Sequence, residues 1–189
     1  MLLLWRWKYQ QSSCGVIVMS SAVMHVISFS SLLILIFISI GFAQNMQLIS
    51  LRDTARILAS EISHRVAMDI SNLISVASST GSEHMIMVKG LDIPSNILGK
   101  SYTISLTASG KFYYVEVDII GWSWFNSSSL IPIQTSSCKV VFEFGGGILN
   151  FNGVKIYYSP KVLCGAKDLV VWVVKDGGVV KVGLGVMKG

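Results

Sequence analysis

From Tyr9 to Leu51 the chain runs 43 residues without an Asp, Glu, Lys or Arg. Within that run Leu32-Leu33-Ile34-Leu35-Ile36-Phe37-Ile38-Ser39-Ile40-Gly41-Phe42 is apolar at nearly every position, so no polar stripe at helical spacing interrupts it. About 20 predominantly apolar helical residues cross the hydrocarbon core of a bilayer. Ala22–Ala43 supplies them, with His25 as its one chargeable side chain. Backbone groups in lipid must bond to one another, which makes this segment a helix.

Past the run the pattern changes without a break. Leu51, Ala55, Leu58, Ile62, Val66, Ile70, Leu73 and Ala77 recur at steps of three and four, with Arg52, Asp53, Arg56, Glu61, His64, Arg65 and Asp69 between them. That spacing predicts an amphipathic helix with one apolar stripe. Asp53 with Arg56 and Glu61 with Arg65 place opposite charges at neighbouring positions of that helix. No Pro or Gly falls between Asn45 and Ser79, so one helix is expected from about Ala22 to Ser79, roughly 87 Å long at 1.5 Å per residue. Gly81 and the Ser/Thr cluster around it mark its end.

Beyond residue 80 the period becomes two. Tyr102–Leu106 alternates, Ala108-Ser109-Gly110-Lys111 turns, and Phe112–Ile120 returns. Asn152-Gly153 between Ile148–Phe151 and Val154–Tyr158 is a strong hairpin signal. Asp176-Gly177-Gly178 between Leu169–Val174 and Val179–Val186 is nearly as strong, and Lys139–Phe144 adds another segment. About seven strands, mostly antiparallel, are expected. The fold class is α+β: a long N-terminal α-helix, transmembrane then amphipathic, with a C-terminal antiparallel sheet or sandwich. The divisions are a cytoplasmic leader or n-region at 1–21, the continuous helix at 22–79 and an extracytoplasmic β-rich head at 80–189.

Composition and charge refine this picture. The chain of 189 residues is 52% apolar, and outside the spanning stretch it is ordinary for a soluble domain. Leu169–Val186, the nearest thing to a second span, is broken by Lys175, Asp176, Gly177, Gly178 and Lys181. Arg6 and Lys8 precede the apolar run and favour a cytoplasmic N terminus. The portion from Gln44 onward carries 13 basic and 10 acidic side chains, too dispersed for a nucleic-acid footprint. Cys14 falls in the cytoplasm or at the membrane boundary in that topology. Cys138 and Cys164 fall outside, where they are candidates for a disulfide, with two separate buried thiols the equal alternative.

The first residues leave two readings open, a leader removed on maturation or a start at Met19. Candidate chemistry is sparse. No His follows His84, no Cys or His pair has zinc-site spacing, and Gly145-Gly146-Gly147 is not followed by the helix and Lys-Ser/Thr of a phosphate loop. No Gly-x-Ser-x-Gly elbow occurs. No catalytic, cofactor or metal residue is assigned, and no enzyme activity is expected. Trp122-Ser123-Trp124-Phe125 concentrates aromatic area, either as a binding loop or as core anchors. Asn126-Ser127-Ser128 is a glycosylation sequon, expected on an exposed surface.

A spanning helix that flows into an amphipathic helix and then a β-rich head resembles type IV pilins. Ala22-Val23-Met24-His25-Val26-Ile27-Ser28-Phe29 before a Leu/Ile run is similar to the start of mature archaeal pilin-like proteins. Ile93-Pro94, Ile97, Gly99, Tyr102-Thr103-Ile104 and Leu106 resemble the first head strand of many of them. The resemblance implies a prepilin peptidase that cuts between Ser21 and Ala22, or after Gly15. It also implies a retained helix and self-association, or association with other pilin subunits, through that helix. Localisation is then the cell membrane, single-pass with the C-terminal domain outside, or an extracellular filament. Ser28, Ser31, Ser39 and Gly41 would let such helices approach closely, unless the hydroxyls bond back to their own helix. Two alternatives remain: an anchored accessory protein of a pilus or archaellum machine, and an exported soluble domain cut after Gly41-Phe42-Ala43.

Overall fold

The computed structural model describes residues 21–122, 125–133, 138–164 and 168–188. Among the described residues one helix, α1 (Ser21–Ser79), is followed by ten strands. The expected helix bounds therefore hold to within one residue, and the α+β class is observed. By internal contacts the chain divides into residues 1–51 and residues 52–189.

In the first unit α1 is charge-free and its side chains lie open. Met24 is 72% exposed, Phe37 70% and Phe42 67%. The helix is long and apolar enough to cross a membrane, and none of its most apolar window is buried.

In the second unit the same helix has one buried face. Ala55, Ala59, Ile62, Val66, Ala67, Ile70, Ile74 and Ala77 are all buried, and Leu58 and Leu73 pack half-buried beside them. The periodicity therefore located the stripe from Ala55 onward, whereas Leu51 is 49% exposed, and the stripe is wider than expected because Ala59, Ser63, Ala67 and Ile74 also turn inward. Each buried Ile or Val removes enough apolar surface to contribute about 1.5–3 kcal/mol.

The end of α1 differs from a glycine stop. Gly81 adopts no left-handed conformation. The last turn is closed instead by the Thr80 amide and hydroxyl, which donate to Val76 O at 3.1 and 2.7 Å. Ser79 Oγ donates to the same carbonyl at 3.0 Å. Lys175 Nζ, buried, then donates to Thr80 O at 2.6 Å and sets a positive charge at the negative end of the helix dipole.

The strands form two sheets. The first has the order β1 (His84–Gly90), β9 (Leu169–Asp176), β10 (Val179–Lys188), β7 (Val154–Tyr158), β6 (Gly147–Phe151), with β5 (Lys139–Phe142) also beside β10. The second has the order β4 (Asn126–Leu130), β3 (Phe112–Ile119), β2 (Tyr102–Ser109), β8 (Lys161–Cys164). All pairings are antiparallel except β5 with β10, where Val180 stands opposite Val140 in a parallel ladder. The expected turn at Gly110, with φ of 63°, joins β2 to β3, and both expected two-residue hairpin turns are present. Asn152 and Gly153 have φ of 48° and 83°, and Gly177 and Gly178 have 53° and 88°, the positive pair that matches strand twist in a two-residue loop.

One face of each sheet joins the α1 stripe in a single core. Tyr102, Ile104 and Leu106 come from β2, Val115 and Val117 from β3, Val171 and Val173 from β9, and Val180, Val182 and Leu184 from β10. The opposite face of the first sheet holds a smaller cluster around Ile156, Val170 and Trp172. Gly183 makes that cluster possible, because a Cβ there would stand 2.4 Å from the Trp172 ring.

Three strands exceed the expected set: β1, β4 and β8. The segment expected to begin the first head strand is otherwise placed. Ile93 and Pro94 lie in irregular chain, Leu98 and Gly99 turn with φ of 50° and 75°, and Tyr102–Leu106 belongs to the second strand.

Candidate functional site

The strongest candidate is the exposed surface of α1 before Arg52. Its apolar side chains follow no single stripe: Val26, Ile34, Leu35 and Phe37 are all more than half exposed. A helix apolar on every side needs an apolar surround, either lipid or other protein. Two of the serines there bond back to their own helix. Ser31 Oγ donates to Ile27 O and Ser39 Oγ to Leu35 O, each at 2.8 Å, so both hydroxyls are satisfied within their own helix. Gly41 differs. The position a Cβ would take beside it has no atom within 4 Å.

The residues sequence reasoning passed over lie one turn further on. Gln44, Asn45 and Gln47 are exposed, and among the described residues their side-chain amides bond to no other residue. The available signal was the neutrality of Gln44–Leu51, which continues the charge-free run with polar but uncharged groups.

Asn126 is the first residue of β4 and is exposed, as is Ser128 two residues on along the same strand face. The sequon is therefore accessible. Asn126 also lines an open cleft of about 330 Å³ with Arg52, Asp53, Arg56 and Phe125. Ser127 and Ser129 alternate to the inner side. Ser129 Oγ lies 2.7 Å from Ser63 Oγ on α1, Ser127 Oγ lies 3.5 Å from it, and Ser63 is fully buried. Of the aromatic cluster, Trp122 and Phe125 pack against the core, while Ser123 and Trp124 lie outside the described residues.

Cys138 and Cys164 stand as thiols in the structure. Cys164 is buried opposite Tyr102, its cross-strand partner. Burial is the main cause that pushes its pKa up to about 11, only partly offset by a hydrogen bond with Tyr102. Burial likewise raises the Tyr102 phenol, whose hydroxyl donates to Pro94 O. Cys138 precedes β5, half-buried against the main core. Ser21 and Ala22, the candidate cleavage pair, are the first two residues of α1. The alternative at Gly15, together with Cys14 and the basic Arg6 and Lys8, lies outside the described residues.

The charged pairs on the surface are structural. Lys89 bridges to Asp69 at 2.6 Å, Lys161 to Asp118 at 3.2 Å and Lys181 to Glu143 at 3.8 Å. Arg65, expected beside Glu61, donates to Asp92 O at 3.0 Å. Among the described residues no group of three His, Cys, Asp or Glu side chains converges as a metal site would require.

Set against known protein families, curated proteins and solved structures, the chain matches none of them.

Proposed function

We propose that the chain is a non-enzymatic, pilin-like structural subunit. Its N-terminal helix inserts in the membrane and then associates with copies of itself or with related subunits. The β-rich domain is carried on the outer side and displayed at the cell surface.

One observation carries this reading: α1 is charge-free from Ser21 to Leu51, 31 residues, and its large apolar side chains there are exposed. At 1.5 Å per residue that is about 46 Å of helix, against a hydrocarbon core of about 30 Å. A plain anchor needs no such surplus, although tilt absorbs some of it. The apolar side chains Met46, Leu48, Ile49 and Leu51, each about half exposed, would then need a surround other than lipid tails. Neighbouring helices of the same kind supply one. Exchange of lipid for such neighbours changes little in hydrophobic terms, so side-chain packing and interhelix bonds decide the balance.

The test is the terminus of the mature protein by mass spectrometry, followed by electron microscopy of sheared surface material. A terminus at Ala22 and filaments containing this chain are the expected results. A terminus at Gln44 would remove the helix and end the proposal. An uncut chain that is absent from filaments would leave a single-pass anchored protein.

A further inference from the structure

We infer that Gly41, Gln44 and Asn45 form a helix-to-helix contact between copies of this chain, with the two amides bonded across it. The inference rests on the self-association proposed above and names the residues that would fix its register.

Two independent observations meet on one face of α1. Gly41 leaves an unfilled space where a side chain would begin, although glycine inside a helix costs about 1 kcal/mol relative to alanine. Among the described residues no atom comes within 4 Å of that position. One turn later Gln44 and Asn45 expose amides with no bonded side-chain partner among the described residues. At about 100° per residue, Gly41, Gln44, Asn45, Leu48 and Leu51 fall within an arc of about 120°. A neighbouring helix that approaches closely at Gly41 would therefore meet the amides and then two leucines.

The chemistry selects a second copy as the occupant. Parallel copies of one helix bring like residues near like, so a charged side chain would face its own charge. An amide carries both an N–H donor and a C=O acceptor and so complements itself. The whole of Ser21–Leu51 lacks Asp, Glu, Lys and Arg, as such an arrangement demands. Ser31 and Ser39 are already bonded to Ile27 O and Leu35 O. Next to Gly41, the amides of Gln44 and Asn45 are then the polar groups able to set register. A single buried Asn does so in coiled coils.

The test uses the full chain in its native membrane, with a photo-crosslinking amino acid at Leu48 or, on the opposite side of the helix, at Met46. Wild type is expected to give copy-to-copy products at Leu48. Gln44→Leu with Asn45→Leu should lower that yield at least tenfold, although the helix becomes more apolar and remains inserted. Gln44→Asn with Asn45→Gln, which keeps both amides, should retain at least half of it. Gly41→Leu should also lower it tenfold.

An unchanged Leu48 yield in the double leucine variant would overturn the contact, and the Met46 products would show that self-association itself stands. Absence of products at both positions in wild type would overturn the contact and the self-association reading together.

Discussion

Ile36 and Ile70 are the same side chain on the same helix, and their surroundings are opposite. Ile36 is 45% exposed, whereas Ile70 is fully buried among residues of α1 and the two sheets. Around Ile36 every side of the helix is apolar. Around Ile70 an apolar face alternates with Glu61, His64, Arg65 and Asp69. The difference teaches that hydrophobicity alone does not say what covers a residue. A one-sided pattern finds its cover within the chain, and an all-round pattern requires cover from outside it.

The largest effect should come from one substitution placed in each half. Ile70→Asp buries a carboxylate with no partner charge, and should destabilise the β-rich domain by about 4 kcal/mol or more. Near-ultraviolet circular dichroism of the full chain in detergent would show the loss of fixed aromatic packing. Ile36→Asp should leave that signal and its denaturation midpoint unchanged. Its cost falls on membrane insertion, about 3 kcal/mol for a charge at the helix centre, read as protein lost from the membrane fraction. Unfolding by Ile36→Asp would break the contrast.

The cluster on the far face of the first sheet sharpens it from the other side. Trp172 is buried over Gly183 and tilts against Tyr158, ring centroids 5.0 Å apart. Trp172→Ala should cost about 3–5 kcal/mol and Gly183→Ala about 1–3 kcal/mol, both measured by denaturant unfolding. Phe37→Ala, an aromatic truncation of comparable kind in the exposed half, should leave the same midpoint in place.

How much of this was legible follows the same division. The long apolar segment, the buried stripe of α1 and the Gly-containing hairpins were readable because each rests on local periodicity or turn chemistry. β4 was not, because Asn126-Ser127-Ser128-Ser129-Leu130 has no apolar alternation. Its inward positions are hydroxyls, and they make sense only against Ser63, more than sixty residues away. β8 is four residues long, and β1 gains its place from pairing with β9. The parallel match of β5 to β10 is likewise a property of distant chain. At the candidate site the apolar run was plain, whereas the Gly41 gap and the unbonded amides needed the helix geometry to bring them onto one face.

Serines offer a finer comparison between the halves. Ser63 Oγ donates to Ser60 O at 3.0 Å and also meets Ser129 on β4. Ser63→Ala would leave the Ser129 hydroxyl without that bond, and should cost about 1–2 kcal/mol in unfolding experiments. Ser39→Ala removes only a bond within its own turn, so the domain's stability should not change. Equal effects at the two positions would blur the distinction between internal and external cover.

The smallest expected effect concerns pH. Between Ser21 and Leu51 there is no thiol, phenol, carboxylate, Lys or Arg, so membrane retention should be flat from pH 8 to 11. The β-rich domain should not be flat. Cys164 has its pKa raised by burial from 9.0 to about 11, so the folded state holds a proton that the unfolded state releases first. Stability is then fully present below about pH 9 and falls as pH rises toward 11, by roughly 1 kcal/mol at pH 10. The buried Tyr102 phenol, also raised, adds a loss of the same sign at higher pH. Cys164→Ala should flatten the decline between pH 9 and 10 relative to wild type, as read from urea midpoints at each pH. An equally steep decline in that variant would remove Cys164 as its cause. A decline in membrane retention over the same window would show that the two halves of α1 do not answer to separate surroundings.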